Sequence, residues 1–346
     1  MKKGDPFGTH RVIAPKGTLP QPAVKLNNNF KETFDNEILC SVKTLNIDSA
    51  SFVEIKKRAG NNTDKIIRIM AEIVEQAGKH KNPWTGSGGM FIGEVKKIGP
   101  ALRGTINLCP GDKIASLVSL SLTPLKIEKI INVNKETGHV DILGEAVLFE
   151  SGVWAKLPEN LPLSLSLSVL DVAGAPAQAD RLVSRGDIVA VLGAAGKSGL
   201  LCCYQAKKRA GKKGRVIAVI HSSKHVDELK GADFIDEVIV ASADNAPLLF
   251  EKVKKATDSL LCDIVINCVS RPDCEMGSIM ITKERGKICF FSMATSFTKA
   301  ALGAEGIGKD VDMIIGNGYL RGHAKLSLGI MEKSRYLKDL FQKRYA

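Results

Sequence analysis

The chain has 346 residues, enough for two domains, and its 44% hydrophobic and 25% charged residues suit a folded globular protein rather than a disordered one. No apolar run reaches the roughly 18 residues needed to span a bilayer, so no membrane helix is expected. The net charge of +12 raises nucleic acid as a partner, but with 5% aromatic residues and no recognition motif the basic clusters are expected as solvated helix faces and a field that attracts an anionic cofactor.

In chain order, the first ~160 residues read as short strands and turns. The start, "MKKGDPFGTH", carries lysines with no hydrophobic segment behind them, so no signal peptide is expected. "EILCSVKTLNID" alternates like a strand and is followed by a helix over Ser51–Arg58. Gly93–Gly99, then "PGDKIASLV" from Pro110, read as strands of a small β-rich barrel, and "NKETGHVDILGE" as a hairpin. From Leu165 the rhythm changes to alternating helix and strand, the pattern of a parallel sheet. Strands are predicted at Val189–Leu192, Val216–Ile220, Glu237–Val240, Ile264–Cys268, Ile288–Phe291 and Met313–Ile315, and a helical stretch closes the chain. The domain boundary is expected near residues 155–170, giving 1–165 as a β-rich domain and 166–346 as a doubly wound α/β domain.

The most informative stretch is "VAVLGAAGKSGLLCCYQAKKRAGKKGRVIAVIHSS", Val189 to Ser223. Gly196-Lys197-Ser198 resembles the end of an NTP-binding P-loop, but that loop needs a glycine five residues earlier, and Val191 stands there. Gly193, Gly196 and Gly199 instead form a G-x-x-G-x-x-G ladder between a strand and a helix, with a second strand behind. That unit binds a dinucleotide: the pyrophosphate sits on the helix N-terminus, and glycines let the backbone approach it. Gly193, Ala194, Ala195, Gly196, Lys197, Ser198 and Gly199 are therefore expected at the cofactor, with Lys197 solvated or facing phosphate. The alternative is a turn that merely feeds a buried helix. Topology also points the carboxyl ends of the strands at the cofactor, which adds Cys268, Val269 and Ser270 after the fourth strand and Ser292, Met293 and Thr295 after the fifth. The ribose-binding tip reads Ile220-His221-Ser222-Ser223-Lys224, with no acid before Asp227. Small hydroxyls and a lysine accept a 2′-phosphate, so both NAD and NADP are expected as cofactors, with His221, Ser222, Ser223 and Lys224 at the ribose. The eight cysteines show no C-x-x-C spacing and are expected as reduced, packed thiols in a cytosolic protein.

These landmarks are similar to those of the medium-chain dehydrogenases and reductases, which place a GroES-like domain before a Rossmann domain. "GEVKKIG", "GDKI" at Gly111–Ile114, "AKLPENL" at Ala155–Leu161, the glycine ladder, "QAKKRAG" and "GADFI" at Gly231–Ile235 follow in the family's order and span nearly the whole chain. Gly4–Ala23 and Ser292–Tyr319 resemble a branch that oxidatively deaminates the 3-amino group of a diamino acid with a nicotinamide cofactor, in bacterial lysine breakdown. The resemblance implies a homodimer acting on a small β-amino acid.

Zinc-dependent members carry their metal on three segments, and each has changed. The cysteine position is Asp48, the Gly-His-Glu segment is Gly88-Gly89-Met90, and the third region offers Asp171. No four-cysteine structural zinc loop is present, so no metal is expected. Zinc steadies a negative alkoxide, whereas an amine arrives as ammonium and passes through a positive iminium, for which a carboxylate is the complementary group. Asp48 and Asp171 are candidate catalytic carboxylates, each with helix capping as its plain alternative. Glu305, between glycines in "GAEGIG", is a third, expected in a loop near the nicotinamide. Arg11, with His10 beside it, is a candidate clamp for the substrate carboxylate, or else a surface arginine. Two other readings stay open: a zinc-free quinone or enone reductase, and a cofactor-binding protein without turnover.

Overall fold

The computed structural model describes residues 2–292, 294–316 and 318–345. They form two compact units, Met1–Glu159 and Asn160–Ala346.

The first unit is built on a six-stranded antiparallel sheet. Its spatial order is Leu125–Val133, His139–Phe149, Glu37–Asn46, Met90–Ile98, Lys113–Ser116 and Trp154–Lys156. Glu37–Asn46 alternates as expected, with Ile38, Cys40, Val42 and Leu45 in the core. The hairpin turns at Asn134–Gly138, where the Asn134 side chain accepts from the amides of Glu136 and Thr137. Asp48 caps the helix Ser49–Arg58, its Oδ1 accepting from Ser51 N at 2.9 Å.

A second helix, Thr63–Ala77, corrects the reading of this region as strands and turns alone. Ile66, Met70 and Val74 recur every four residues and pack into the same core. Asn62 caps its start and Gly78 ends it at φ +67. A Cβ on Gly78 would stand 2.1 Å from the carbonyl oxygen of Leu26, so only glycine fits there.

The second unit is a parallel six-stranded sheet in the order Glu237–Val240, Arg215–Ile220, Ile188–Leu192, Cys262–Asn267, Thr282–Phe290, Asp312–Ile315. All six expected strands are present. The order reverses between Ile188–Leu192 and Cys262–Asn267, the switch point at which open α/β sheets bind ligands. The closing helical stretch is two helices, His323–Lys333 and Arg335–Tyr345, separated at Ser334.

Candidate functional site

The glycine turn sits at the carboxyl end of the central strand Ile188–Leu192. Gly193 has φ +77, and a Cβ on it would meet the Cys268 carbonyl oxygen at 3.1 Å. A Cβ on Gly199 would stand 2.3 Å from the Gly193 carbonyl oxygen and 2.6 Å from Ala194 Cα. Gly199 therefore lets the helix Lys197–Ala210 pack on its own turn. Gly196 differs: it is exposed, and its nearest neighbour would be Gly193 O at 3.5 Å. It opens on free space at the N-terminus of a 14-residue helix, whose first amides have no intrahelical acceptor. A pyrophosphate fits that arrangement, with the backbone at Gly196 free to approach it.

The loops facing this turn are shaped by residues that the sequence reading passed over. Buried Asn267 accepts from Val269 N at 2.9 Å and donates to Ser278 Oγ at 3.0 Å, setting the turn Cys268–Ser270. Cys268 N donates to Leu192 O at 3.0 Å, tying that turn to the central strand. Buried Glu275 accepts from Ser296 N at 2.6 Å and anchors the segment that contains Ser292 and Thr295. Met293 lies outside the described residues.

At the ribose tip, Ser222 precedes a short turn Ser223–His225, and His221, Ser223 and Lys224 are exposed. Burial lowers the proton affinity of His225, and the nearby charges of Arg344, Lys224 and His221 lower it further, so cationic groups converge here. Arg344 comes from the last helix. It donates to Ala195 O in the glycine turn at 2.9 Å, and also bonds His225 Nδ1 and Glu228. Its sequence separation of 149 residues from Ala195 hid it from local pattern.

Lys197 is not freely solvated. It ion-pairs with Asp171 and lies over the Tyr345 ring, 5.9 Å from the centroid. Asp171 stands at the C-terminal end of helix Leu163–Leu170, not at a helix start, and its charge is engaged beside the glycine turn.

Two expectations are corrected by position. Glu305 is not in a loop: it is exposed on the last turn of helix Phe297–Gly306, because Ser296 caps that helix and the apolar face at Ala300 and Ala304 packs inward. Arg11 is not a free clamp. It is 1% exposed and bonds Glu37 through Nε at 2.7 Å and Nη2 at 2.6 Å, with further bonds to the carbonyls of Asn29 and Glu32. His10 bonds the same Glu37 at 2.9 Å. Burial alone would raise the Glu37 carboxyl, but its bonds from Arg11 and His10 hold it down to about 2. These three residues form a buried ionic knot inside the first unit.

Asp48 lies in a second polar locus within the first unit. Its Oδ1 accepts from Ser51 N and from Ser87 Oγ at 3.1 Å. Ser87, Ser51 and Thr85 form a triangle of hydroxyls, at 2.7 Å, 2.7 Å and 2.9 Å. Asp48 thus caps a helix and still offers its second oxygen. Among the described residues no group of three His, Cys, Asp or Glu is placed to hold a metal. All eight cysteines are free, and burial raises the thiols of Cys40, Cys203, Cys262 and Cys289 well above the usual range.

The chain is similar to known proteins over its whole length. Residues 10–158 match the L-erythro-3,5-diaminohexanoate dehydrogenase N-terminal domain. The L-erythro-3,5-diaminohexanoate dehydrogenase of Acetoanaerobium sticklandii is 53% identical over 343 residues, 99% of each chain. That of Fusobacterium nucleatum is 51% identical over 345 residues, 100% of each chain. Among solved structures, CurK enoyl reductase aligns at TM-score 0.54 and 14% identity, covering 86% of this chain and 79% of the other. Escherichia coli quinone oxidoreductase complexed with NADPH aligns at TM-score 0.51 and 16% identity, again with 86% and 79% covered. These two share the fold.

Proposed function

The chain belongs to the L-erythro-3,5-diaminohexanoate dehydrogenase family, and from that premise we propose that it removes the 3-amino group of L-erythro-3,5-diaminohexanoate, giving 5-amino-3-oxohexanoate and ammonia. It is a dehydrogenase with a Rossmann unit and a β-rich unit, and the quinone-reductase and non-catalytic readings are not favoured. The observation that carries the proposal is the pairing of full-length identity above 50% with a phosphate cradle open at Gly196.

A nicotinamide dinucleotide held at Gly193, Gly196 and Gly199 would supply a hydride acceptor for substrate C3. The chain's residues do the rest. The helix N-terminus at Gly196–Lys197 holds the pyrophosphate. The Asp171–Lys197 pair and Arg344 brace the turn on either side. Asp48 takes a proton from the arriving ammonium, so that the nitrogen lone pair can support hydride departure. No step calls for a metal. Both NAD and NADP are taken as cofactors, through His221, Ser222, Ser223 and Lys224. The protein works as a cytoplasmic homodimer in lysine degradation, without nucleic acid or membrane. Among the described residues no helix is long and apolar enough to cross a bilayer. The test is to follow the nicotinamide absorbance with the diamino acid and oxidised cofactor. Reduction with release of ammonia supports the proposal, and no reduction with either cofactor refutes it.

A further inference from the structure

His80 was singled out by no sequence pattern. It is fully buried, and neither ring nitrogen has a partner in good hydrogen-bond geometry, the carbonyls of Gly88 and His80 itself being the nearest acceptors to act on it. The same holds for Asp48 Oδ2. Burial pushes the imidazole down to about 4, with the Asp48 charge and the carbonyls of Gly88 and His80 itself acting the other way, so the ring is neutral near pH 7. A neutral ring has one N–H donor and one lone pair. Leaving such groups buried without well-formed bonds is unfavourable. A small polar molecule that both donates and accepts would satisfy them.

Two glycines let the backbone that carries His80 and the backbone that carries Asp48 approach one short segment. A Cβ on Gly88 would stand 2.5 Å from the His80 carbonyl oxygen and 2.7 Å from Ser121 N. Gly89, at φ +96, would place one 2.1 Å from Asn46 O and 2.9 Å from Asp48 N. Gly88 and Gly89 thus admit the chain from His80 onward against the backbone of Asp48. The neighbouring ammonium groups point elsewhere: Lys79 Nζ donates to Pro20 O at 2.6 Å, and Lys81 Nζ to Gln21 O at 3.1 Å. On the other side of Asp48, Ser87 Oγ and then Thr85 Oγ1 lead from Oδ1 to an exposed residue.

We propose that His80 and Asp48 Oδ2 together hold the water consumed in deamination, and that the hydroxyls of Ser87, Ser51 and Thr85 link Asp48 to solvent. The inference rests on the reading above of Asp48 as the carboxylate that meets the amine. The chemistry balances as follows. Water oxygen bonds to the iminium carbon as the C=N π pair moves to nitrogen, and one water proton passes to the His80–Asp48 pair. That proton returns to nitrogen. The C–N bond then breaks as the hydroxyl proton passes to the same pair, leaving a ketone and ammonia, and the pair hands that proton to the ammonia, which departs as ammonium. Iminium plus water becomes ketone plus ammonium, with charge conserved and no further oxidant required.

The experiment separates the first turnover from the steady state in the full-length enzyme, using the diamino acid and oxidised cofactor. Wild type is expected to give a rapid first-turnover formation of reduced cofactor followed by ammonia-releasing turnover. His80→Leu is expected to keep the first turnover and to lose about 10²-fold in kcat, the scale of a lost acid–base partner. His80→Asn keeps a donor and an acceptor and is expected to recover most of that loss. Ser87→Ala, which leaves Asp48 its bond from Ser51 N, is expected to lose about tenfold in kcat with the first turnover intact, the scale of one hydrogen bond. Should His80→Leu not fold, Ser87→Ala decides. Wild-type kcat in folded His80→Leu or in Ser87→Ala overturns the inference, and so does equal loss of first turnover and steady state in either. Wild type with no amine-dependent first turnover overturns instead the reading on which the inference rests.

Discussion

Gly199 packs against Gly193 so closely that a Cβ on the former would stand 2.3 Å from the carbonyl oxygen of the latter. Gly196, midway between them, meets nothing nearer than 3.5 Å. One ladder therefore contains both a packing glycine and one that opens on free space, and the two should fail differently. Gly199→Ala forces the helix away from its turn and is expected to cost about 1–3 kcal/mol of stability. Gly196→Val should leave the thermal midpoint near wild type and abolish cofactor binding by calorimetry. Undiminished cofactor binding by Gly196→Val contradicts the assignment, and binding of ATP with Mg²⁺ would revive the P-loop.

The three carboxylates should separate as well. Asp48→Asn keeps the shape of the cap but removes the charge, and kcat is expected to fall by about 10²-fold or more. Asp171→Asn breaks the pair with Lys197 and is expected to raise the KM for cofactor more than it lowers kcat. Glu305→Gln, on an exposed last helical turn, is expected to stay near wild type. Full rate in Asp48→Asn would place the base elsewhere.

The Arg11–Glu37–His10 knot predicts an acid-sensitive stability. Glu37 is depressed from 4.5 to about 2, so its contribution is fully present above pH 4.5 and is lost as pH falls toward 2. Thermal midpoints measured across that window should fall more steeply for wild type than for Glu37→Gln. At neutral pH the same substitution strands Arg11 in the core and is expected to cost about 3–5 kcal/mol. A variant as stable as wild type at pH 7 would contradict the buried pairing.

Cofactor choice is expected to be loose. The tip offers Ser222, Ser223 and Lys224 with cationic neighbours, and its first acid is the exposed Asp227. The kcat/KM values for NAD and NADP should differ by less than about 10³-fold, roughly 4 kcal/mol. A larger preference for NAD means that an acid such as Asp227 reaches the ribose.

Legibility followed the range of the interactions. The βαβ unit and its glycine ladder are local, so all six Rossmann strands could be placed from pattern. The helix Thr63–Ala77 was missed, although Ile66, Met70 and Val74 recur at helical spacing with charged residues between them. Glu305 was misplaced because flanking glycines suggest a loop, and the cap at Ser296 outweighed them. Arg11 looked like a surface side chain because its partner Glu37 lies 26 residues away. Arg344 and His80 act at distances in sequence, or through missing partners, that no local window contains.

The account stands most directly on one assay. Enzyme dialysed against a strong chelator is mixed with L-erythro-3,5-diaminohexanoate and oxidised cofactor, and reduced cofactor and ammonia are measured together. The expected result is one ammonia per reduced cofactor at an undiminished rate. Reduction without ammonia, or activity lost with the chelator and restored by zinc, would contradict it.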